Sequence, residues 1–459
     1  MMNALHQHTG DKRLNDRLLS GGMCCVVAGL GRSGLSAARY LMRHGHHVRV
    51  TDSRNEPPGL KDLGEGMYEF SLGELSIEML GGADMLVLSP GLSTSEPIVA
   101  AARERGVSVV GDVEIFARVV RAPVIAVTGS NGKSTVCSML AEMLVAGGLQ
   151  TRAGGNLGTP ALDLIEAREP DVYVLELSSF QLELTESLRP RVAALLNVSA
   201  DHLDRHGDLD SYVAAKARIF DRCEAAVYNR DDSVVAALRP RGRPAISFGL
   251  GEPEQGAFGL RLHAGETWLV RGDELLLPQS GLLVRGLPNV ANALAALAIG
   301  DALGVALAPM IAALGRFAGL PHRMQTVAER ANVTWVNDSK ATNVGAAVAA
   351  VEGLDRPLVL IAGGDGKGAD FEPLATALAG RAIAAVLIGR DARRLGACLE
   401  HVCRVEYAAD MSAAVASAAA IATPGSVVLL APACASLDMY ENFARRGEDF
   451  AAAVEALEP

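Results

Sequence analysis

A loop between an apolar run and a periodic apolar stretch carries residue types that bind phosphate. Residues 124–128 are apolar and largely β-branched, which is typical of a buried strand, and residues 129–135 read Gly-Ser-Asn-Gly-Lys-Ser-Thr. In such a strand–loop–helix arrangement the glycines let backbone N–H groups approach phosphate oxygens. Lys133 can neutralise the β- and γ-phosphates, and the hydroxyl of Ser134 or Thr135 can ligate Mg²⁺. The loop therefore predicts a nucleoside triphosphate site, although it is shorter than the usual phosphate-binding motif.

Three polar residues that come after this loop in the chain are further candidates. Glu176 ends an apolar run that predicts a strand, and ligands of open α/β sheets lie at the carboxyl ends of strands. It is a candidate Mg²⁺ ligand, the alternative being a solvent-facing carboxylate. From residue type alone His202 is a hydrogen-bonding loop residue, because Mg²⁺ prefers oxygen, and Lys216 is an exposed helical lysine.

A second glycine-rich turn lies near the amino terminus. Gly29, Gly31 and Gly34 follow a predicted strand in the spacing G-x-G-x-x-G, and Asp52 ends the next predicted strand. This pattern is typical of NAD- or FAD-binding sites, in which the acidic residue bonds a ribose. A nucleoside diphosphate, such as the UDP of a UDP-sugar, would use the same helix N-terminus equally well. A tight turn without a ligand is the third interpretation.

The elements that must position these residues alternate between strand and helix along nearly the whole chain. At about 150 residues per domain, 459 residues suggest three domains, which we place at residues 1–111, 112–319 and 320–459. The alternation predicts an α/β fold with parallel sheets. We predict strands at residues 24–28, 48–51, 85–88, 124–128, 172–177, 193–198, 225–229, 334–336, 358–361, 384–388 and 427–430. Residues 244–285 form a β-rich segment without clear periodicity, and residues 289–303 predict a helix.

Composition bounds the class of protein. Hydrophobic residues make up 49% and charged residues 21%, as in a well-cored soluble protein, and the net charge of −11 without a basic stripe argues against nucleic-acid binding. The seven cysteines lack zinc-site spacing, so we expect reduced thiols. The first 22 residues are polar, and the alanine-rich stretch at 413–435 is split by Pro424 and Gly425 into a helix and a strand. We expect a cytoplasmic protein without a membrane span.

Eight ordered segments together resemble one family, the Mur ligases of peptidoglycan synthesis. The resemblance covers essentially the whole chain from about Cys24, and these segments are its most specific part. They are Gly-Asp-Val-Glu-Ile-Phe (111–116), Thr-Gly-Ser-Asn-Gly-Lys-Ser-Thr (128–135), Gly-Gly-Asn-Leu-Gly (154–158), Leu-Glu-Leu-Ser-Ser-Phe-Gln (175–181), Gly-Leu-Pro-His-Arg (319–323), Asn-Asp-Ser-Lys-Ala-Thr-Asn (337–343), Gly-Gly-Asp-Gly-Lys (363–367) and Pro-Ala-Cys-Ala-Ser-Leu-Asp (432–438).

The resemblance implies a fold and an activity. It implies a Rossmann-like N-terminal domain, a central P-loop ATPase-type domain with a mostly parallel sheet, and a Rossmann-like C-terminal domain. The implied reaction is the ATP-dependent, ADP-forming addition of D-glutamate to UDP-N-acetylmuramoyl-L-alanine through an acyl phosphate. This step belongs to cytoplasmic peptidoglycan precursor synthesis, and hence to cell-wall biogenesis, cell shape and cell division. From the residues themselves, D- and L-glutamate both stay open.

The resemblance also implies site residues and cofactors. For the UDP-substrate they are Arg32, Ser33, Ser53, Arg54, Gly91, Asn156, Ser178 and Gln181. For ATP they are Asn131, Gly132, Lys133, Ser134, Thr135, Asn289, Asn292, Arg323, Asp338 and Lys340. For glutamate they are Thr342, Lys367, Ser436, Leu437 and Phe443. The implied catalytic residues are Lys133, Glu176, His202 and Lys216. Two Mg²⁺ ions are implied at Ser134, Glu176, His202 and Lys216, the lysine being carbamylated by CO₂. The expected protein is a monomer with no nucleic-acid or membrane partner.

Three other functions compete with this interpretation. A nicotinamide-dependent oxidoreductase would use the amino-terminal glycine turn. A non-catalytic nucleotide sensor would keep the phosphate loop but would need neither Glu176 nor Lys367. A folylpolyglutamate synthase would share the ATP domain, but it fits the first and third domains less well.

Overall fold

The computed structural model describes residue 15 and residues 17–457, apart from residues 65, 67, 157 and 285, and without the side chain of residue 204. The chain forms three sheets in sequence order, and each sheet lies within one of the three predicted domains. The domain boundaries themselves stay a prediction. Residues 1–14 of the polar amino-terminal extension, and the last two residues of the third predicted domain, lie outside the described residues.

The first sheet is parallel and has five strands in the order β3-β2-β1-β4-β5. Its strands are β1 (Cys24–Ala28), β2 (His47–Asp52), β3 (Tyr68–Leu72), β4 (Met85–Leu88) and β5 (Ser108–Val110). Its helices are Arg32–Arg43 and Pro97–Glu104, and Asp112–Val119 follows the last strand. Gly34 explains the close packing of the first helix on β1, because a Cβ there would lie 1.9 Å from the Gly29 carbonyl oxygen.

The second sheet has nine strands in the order β14-β13-β12-β11-β10-β9-β6-β8-β7, and only β13 and β14 pair antiparallel to their neighbours. Its strands are β6 (Val124–Thr128), β7 (Thr151–Gly155), β8 (Val172–Glu176), β9 (Val192–Leu195), β10 (Ala225–Asn229), β11 (Ala245–Phe248), β12 (Phe258–His263), β13 (Glu266–Arg271) and β14 (Glu274–Pro278). Its helices are Lys133–Ala146, Ser179–Glu183, Leu203–His206, Leu209–Ala217, Ser233–Ala237, Leu287–Leu303 and Leu307–Leu314.

The third sheet has six strands in the order β15-β16-β20-β17-β18-β19, with β15 antiparallel to β16 and the other pairs parallel. Its strands are β15 (Gln325–Arg330), β16 (Val333–Asn337), β17 (Leu358–Gly363), β18 (Ala382–Ile388), β19 (Arg404–Tyr407) and β20 (Val427–Leu430). Its helices are Val344–Glu352, Glu372–Leu378, Ala392–Leu399, Met411–Ile421 and Phe443–Glu455.

The buried side chains follow this layering. Strands such as β6, β8 and β20 are buried along their whole length, because helices cover both faces of a parallel sheet. One apolar cluster runs from Val27 of the first sheet through Phe116 of the helix Asp112–Val119 to Tyr173 of the second sheet, so the first two domains share a packed interface. All seven cysteines are free thiols. No helix among the described residues is long and apolar enough to cross a membrane.

The predicted strands are confirmed within a few residues, and the β-rich segment holds β11 to β14. The alanine-rich stretch divides into a helix and β20, as its Pro-Gly pair indicated. Five strands escaped prediction, and each lies at an edge of its sheet: β3, β5, β7, β15 and β19. Edge strands have one neighbour and partly exposed faces, so their sequences lack the apolar run that marks a central strand.

Candidate active site

The phosphate loop is held by its backbone and by neighbouring strand ends. Gly132, with φ of 83°, caps the helix Lys133–Ala146, and a Cβ there would lie 2.4 Å from Oδ1 of Asn292. Only glycine fits at this position, because both the positive φ and the close approach exclude a side chain. The Lys133 Nζ donates to the carbonyls of Gly129 and Ser130 at 2.8 and 3.0 Å. Burial lowers the pKa of Lys133, and nearby Glu176 opposes that shift.

A cavity of about 230 Å³, here called the catalytic cavity, lies at the carboxyl edge of the second sheet. It brings together predicted residues from two domains. Those that line it are Asn131, Gly132, Lys133, Ser134, Asn156, Glu176, Ser178, His202, Lys216, Arg323, Lys340 and Thr342. All four predicted catalytic residues are among them.

Lys216 is buried, so the interpretation of this residue as an exposed helical lysine is wrong. Its side chain points from the helix Leu209–Ala217 under the phosphate loop, where Nζ donates to the Gly129 carbonyl at 2.9 Å. Nζ also lies 4.5 Å from the centre of the Tyr212 ring. Burial and the neighbouring Lys133 cation lower the pKa of Lys216 well below its ordinary value. A buried amine of this kind is held toward its neutral, nucleophilic form.

Glu176 ends β8 and is buried. Its Oε1 accepts a hydrogen bond of 2.7 Å from Nδ2 of Asn156, whereas its buried Oε2 has no hydrogen-bond partner. A buried carboxylate oxygen without a donor is costly, and a cation would satisfy it. The structure at Glu176 therefore fits a hard divalent ion. Among the described residues no three His, Cys, Asp or Glu side chains form a metal-binding group, so the ligands of such an ion would have to include groups of other kinds.

His202 lies across the same cavity in a strained conformation. Its backbone is left-handed, with φ of 55°, which is uncommon for a residue with a side chain. Its Nε2 lies 3.7 Å from Oδ2 of Asp201, and its ring packs against the edge of Phe180. The two ring contacts orient the imidazole toward the catalytic cavity.

A smaller cavity of about 90 Å³ adjoins the phosphate loop on the side of the third sheet and gathers the other predicted ATP residues. It is lined by Thr135, Asn289, Asn292, Arg323, Asp338 and Lys340, among others. Burial raises the pKa of Asp338 to about 6. Burial and the nearby Arg323 and Lys133 lower the pKa of Lys340 to about 8.

Two hydrogen-bonded contacts hold the third sheet's domain against the phosphate-loop region. The Arg323 guanidinium donates to Oγ of Ser134 at 2.6 Å. The Asn343 amide donates to Oδ2 of Asp201 at 2.9 Å and approaches Oδ1 of Asn131 at 3.4 Å. The smaller cavity of about 90 Å³ and the catalytic cavity are therefore assembled from both domains.

A third cavity, of about 440 Å³, lies between the first and second sheets and gathers most of the predicted UDP residues. Arg32, Ser33, Ser53, Arg54, Gly91, Asn156 and Gln181 line it, whereas Ser178 lies in the catalytic cavity instead. Asn156 lines both cavities, so the two are adjacent. Arg32 also donates to the Gly158 carbonyl, which joins the two domains.

The Asp52 carboxylate is hydrogen-bonded by neighbouring residues of the protein. It accepts hydrogen bonds from the Leu30 and Arg54 backbones at 2.6 and 2.9 Å, and the Arg54 side chain grips it at 2.9 and 2.7 Å. These donors lower the pKa of Asp52 against the opposing effect of its burial. The carboxylate thus fixes the loops around the glycine turn, which weakens the dinucleotide interpretation in which it would bond a ribose.

The predicted glutamate residues lie after three neighbouring strands of the third sheet. Thr342 follows β16, Lys367 follows β17 and Ser436 follows β20. Backbone hydrogen bonds of 3.0 and 2.9 Å between Asp365 and Ala435 tie the last two loops together.

The predicted glutamate residues differ in their exposure. Thr342 lines the catalytic cavity and Ser436 is buried, whereas Lys367 and Leu437 are exposed. The Phe443 ring lies 4.1 Å from Nζ of Lys340, which connects the glutamate set to the ATP set.

Sequence reasoning missed a chain of three side chains beside the catalytic cavity. Oγ of Ser179 lies 2.9 Å from Nε2 of His206, and Nδ1 of His206 lies 3.3 Å from Oε1 of Glu183. The His206 ring also stacks on Phe180 at 5.2 Å. Burial raises the pKa of Glu183. The i, i+4 spacing of Ser179 and Glu183 was visible, but their pairing with His206 depends on the tertiary structure.

Comparison with known families extends over almost the whole chain. The Mur ligase MurD-like N-terminal domain matches residues 23–111, the Mur ligase middle domain matches residues 127–300, and the Mur ligase glutamate ligase domain matches residues 322–434. The first of these segments contains the glycine turn at Gly29, Gly31 and Gly34.

Individual relatives are similar over nearly their full length. The UDP-N-acetylmuramoylalanine–D-glutamate ligase of Nitrosococcus oceani is 52% identical over 94% of this chain and 96% of its own. The proteins of the same name from Pseudomonas savastanoi pv. phaseolicola and Methylococcus capsulatus are each 48% identical, over 94% of this chain and 98% and 94% of their own.

Solved structures share the fold at low sequence identity. The UDP-N-acetylmuramate–alanine ligase of Thermotoga maritima aligns with a TM-score of 0.60 and 19% identity, over 95% of this chain and 99% of its own. The MurF ligase of Thermotoga maritima, solved with ADP, aligns with a TM-score of 0.60 and 20% identity over 96% of both chains. With three matching domains in order and relatives at about half identity, the chain belongs to the Mur ligase family.

Proposed function

We propose that this Mur ligase is an ATP-dependent, ADP-forming enzyme that adds D-glutamate to UDP-N-acetylmuramoyl-L-alanine in peptidoglycan precursor synthesis. The observation that carries the proposal is the convergence of Lys133, Glu176, Lys216 and Arg323 on one cavity between two domains. The cavity of the first domain adjoins it and fits a UDP-substrate whose terminal carboxylate reaches inward.

In the first step the terminal carboxylate of the muramoyl substrate attacks the γ-phosphorus of ATP. A bond forms between the carboxylate oxygen and phosphorus while the bond to the β,γ-bridging oxygen breaks, giving an acyl phosphate and ADP. Two anions must approach each other, so positive charge is needed where they meet. Lys133 and Arg323 supply it, since both side chains line the catalytic cavity and lie within reach of the phosphate loop.

We place Mg²⁺ at Ser134, Glu176, His202 and carbamylated Lys216, with two ions in all. When bound, the ions would offset the negative charge of the triphosphate and the carboxylate. The unpartnered Oε2 of Glu176 supports this placement. The burial of Lys216 supports the carbamate, because a neutral amine can add to CO₂ and become an oxygen donor suited to a hard cation.

In the second step the amine of glutamate attacks the acyl carbon. A carbon–nitrogen bond forms, the amine releases a proton, and inorganic phosphate leaves from the tetrahedral intermediate. The glutamate side would be held by Thr342, Lys367, Ser436, Leu437 and Phe443. Lys367 would orient a glutamate carboxylate through a charge-assisted hydrogen bond. The ATP site beside the glutamate site would be completed by Asn289, Asn292, Asp338 and Lys340.

We further infer that the enzyme works as a monomer in the cytoplasm, where its product would enter cell-wall synthesis during growth and division. The absence of a membrane-crossing helix among the described residues is compatible with that location.

The test is an amino-acid panel with purified UDP-N-acetylmuramoyl-L-alanine and ATP, monitored by phosphate release. We expect release that depends on both the muramoyl nucleotide and D-glutamate, with L-glutamate inactive. Nicotinamide binding without amino-acid-dependent ADP formation would overturn the proposal. Glu176→Ala should abolish phosphate release. If the native protein binds ATP but releases no phosphate with any amino acid, a nucleotide sensor would be favoured instead.

A further inference from the structure

A cavity of about 930 Å³ opens at the edge of the second sheet that lies opposite the active site. It is bounded by the amino ends of β6, β9 and β10, which are neighbours in the sheet. The strand β6 begins at this cavity with Val124 and ends at the phosphate loop, and five residues at about 3.3 Å each separate the two sites by roughly 16 Å. The cavity is therefore distinct from the site described above.

The residues that enter these strands are rich in arginine. Arg121 precedes β6, Arg189 and Arg191 precede β9, and Arg222 precedes β10, and all four are exposed. Arg118 lines the cavity from the helix Asp112–Val119. We call these five residues the arginine ring. Neighbouring parallel strands place their amino ends side by side, so residues far apart in the chain come together here.

Much of this positive charge is not balanced by the protein. Arg118 pairs with Glu114 at 2.7 Å, and Arg191 pairs with Glu224. Within the described part of the chain, the guanidinium groups of Arg121, Arg189 and Arg222 make no hydrogen bond or ion pair. Two carboxylates line the cavity, Glu224 and Asp171. Oδ2 of Asp171 already accepts a hydrogen bond from the backbone N–H of Gln150. Positive charge therefore exceeds negative charge in this cavity, although the whole chain has a net charge of −11.

Apolar residues also line the cavity beside the arginines. Among them are Val124, Val172, Leu188, Leu303 and Val305. The volume falls in the range of about 300–1,000 Å³ that is usual for small-molecule sites, which combine apolar side chains with a few placed polar groups.

We propose that the arginine ring is a second binding site, for a small phosphorylated anion that carries two or more phosphate groups. The planar guanidinium fork matches phosphate oxygens two at a time, and three unpaired forks suit more than one phosphate. Bound phosphates would also relieve the repulsion among the arginines. The proposal does not depend on the reaction catalysed at the opposite edge.

The experiment is a calorimetric titration of the full chain with inorganic tripolyphosphate at low ionic strength. Because the phosphate loop also binds phosphate, the titration is run in parallel on Lys133→Ala, which disables that loop. We expect one binding event to persist in Lys133→Ala. Adding Arg189→Glu and Arg222→Glu to it should weaken that event at least tenfold, as expected for about 1.4 kcal/mol or more.

The matched control adds Arg103→Glu and Arg241→Glu instead. Both residues are exposed and lie outside the cavity, so this variant changes the net charge equally but should keep the binding event. Equal binding by the two charge-reversed variants would overturn the proposal. In the Lys133-containing protein, the Arg189→Glu/Arg222→Glu pair should leave ligase activity unchanged.

Two further arms complete the design. Arg189→Lys with Arg222→Lys keeps the charge and removes the fork, and it should bind tripolyphosphate with intermediate strength; it also serves if the glutamate variant fails to fold. Vesicles of anionic phospholipid test the other source of phosphate. Capture by vesicles without binding of free tripolyphosphate would overturn the assignment to a small molecule.

Discussion

The Arg323 guanidinium reaches across a domain boundary and donates a 2.6 Å hydrogen bond to the hydroxyl of Ser134. Arg323 follows the helix Leu307–Leu314 of the middle segment and begins the third family domain, whereas Ser134 lies at the start of the phosphate-loop helix. The contact couples the position of the third domain to the loop that we propose to bind the triphosphate. A site built from two domains in this way is complete only when both domains are in contact.

Replacing Arg323 tests this coupling. Arg323→Ala removes a charge-assisted donor beside the phosphate loop, so we expect the KM for ATP to rise about tenfold to a hundredfold, equivalent to about 1.5–3 kcal/mol. Arg323→Lys should recover part of the loss. Arg316→Ala, at an exposed position nearby in the chain, serves as the control. An unchanged KM for ATP in Arg323→Ala would contradict the role.

Lys216→Ala should lose most ligase activity, because it removes the buried amine that we infer to be carbamylated. Small carboxylates such as acetate or formate should restore part of the activity by entering the space of the lost side chain. The measurement is phosphate release with and without the added acid. Lys61→Ala, at an exposed lysine, is the control. Full activity of Lys216→Ala without rescue would remove the carbamate from the mechanism.

Asp338 makes stability depend on pH. Burial raises its pKa in the folded protein to about 6, above the value near 4 of an unfolded chain. The folded state therefore keeps a proton that the unfolded state releases, and this stabilisation is full below about pH 4 and is lost as the pH rises through about 6. Asp338→Asn has no such proton. Its unfolding temperature should rise relative to the native protein between pH 4.5 and pH 7.

Thermal unfolding across that pH range gives the comparison. The exposed Asp355→Asn provides the matched control and should follow the native curve. Two pKa units correspond to about 3 kcal/mol at most, which is several degrees in the unfolding midpoint. Parallel curves for native protein and Asp338→Asn would show that the carboxyl is not held protonated.

The Ser179–His206–Glu183 chain should support catalysis by fixing the floor of the catalytic cavity. Glu183 faces Nδ1 of His206, which leaves Nε2 to accept the Ser179 hydroxyl. His206→Ala removes the hydrogen bond to Ser179, the contact with Glu183 and the stack on Phe180. Because Ser179 lines the catalytic cavity, its displacement should misplace the reacting groups, and we expect kcat to fall by about fivefold to thirtyfold, equivalent to about 1–2 kcal/mol of activation free energy. Steady-state kinetics measure this, with the exposed His401→Ala as the control; equal kcat values would contradict it.

Much of the fold was readable from sequence because its central strands are buried on both faces. Runs such as those of β1, β4 and β20 were predicted to the residue, since a strand under two helix layers must be apolar throughout. The phosphate loop was equally readable, because glycines, lysine and hydroxyl residues act within a few positions of one another. The edge strands were missed because their exposed faces leave no such run.

The tertiary structure decided which distant residues act together. Lys216 has the spacing of an ordinary helical lysine, and only packing under the phosphate loop buries its amine. The contacts of Arg323 with Ser134 and of His206 with Ser179 join positions that no local pattern links. The arginine ring escaped a search for a basic stripe, because its members are dispersed in sequence and meet only where parallel strands begin. A motif whose residues are neighbours in the chain can be recognised from sequence. The burial of a side chain and the charge at a sheet edge depend on distant residues, so they are decided only when the chain has folded.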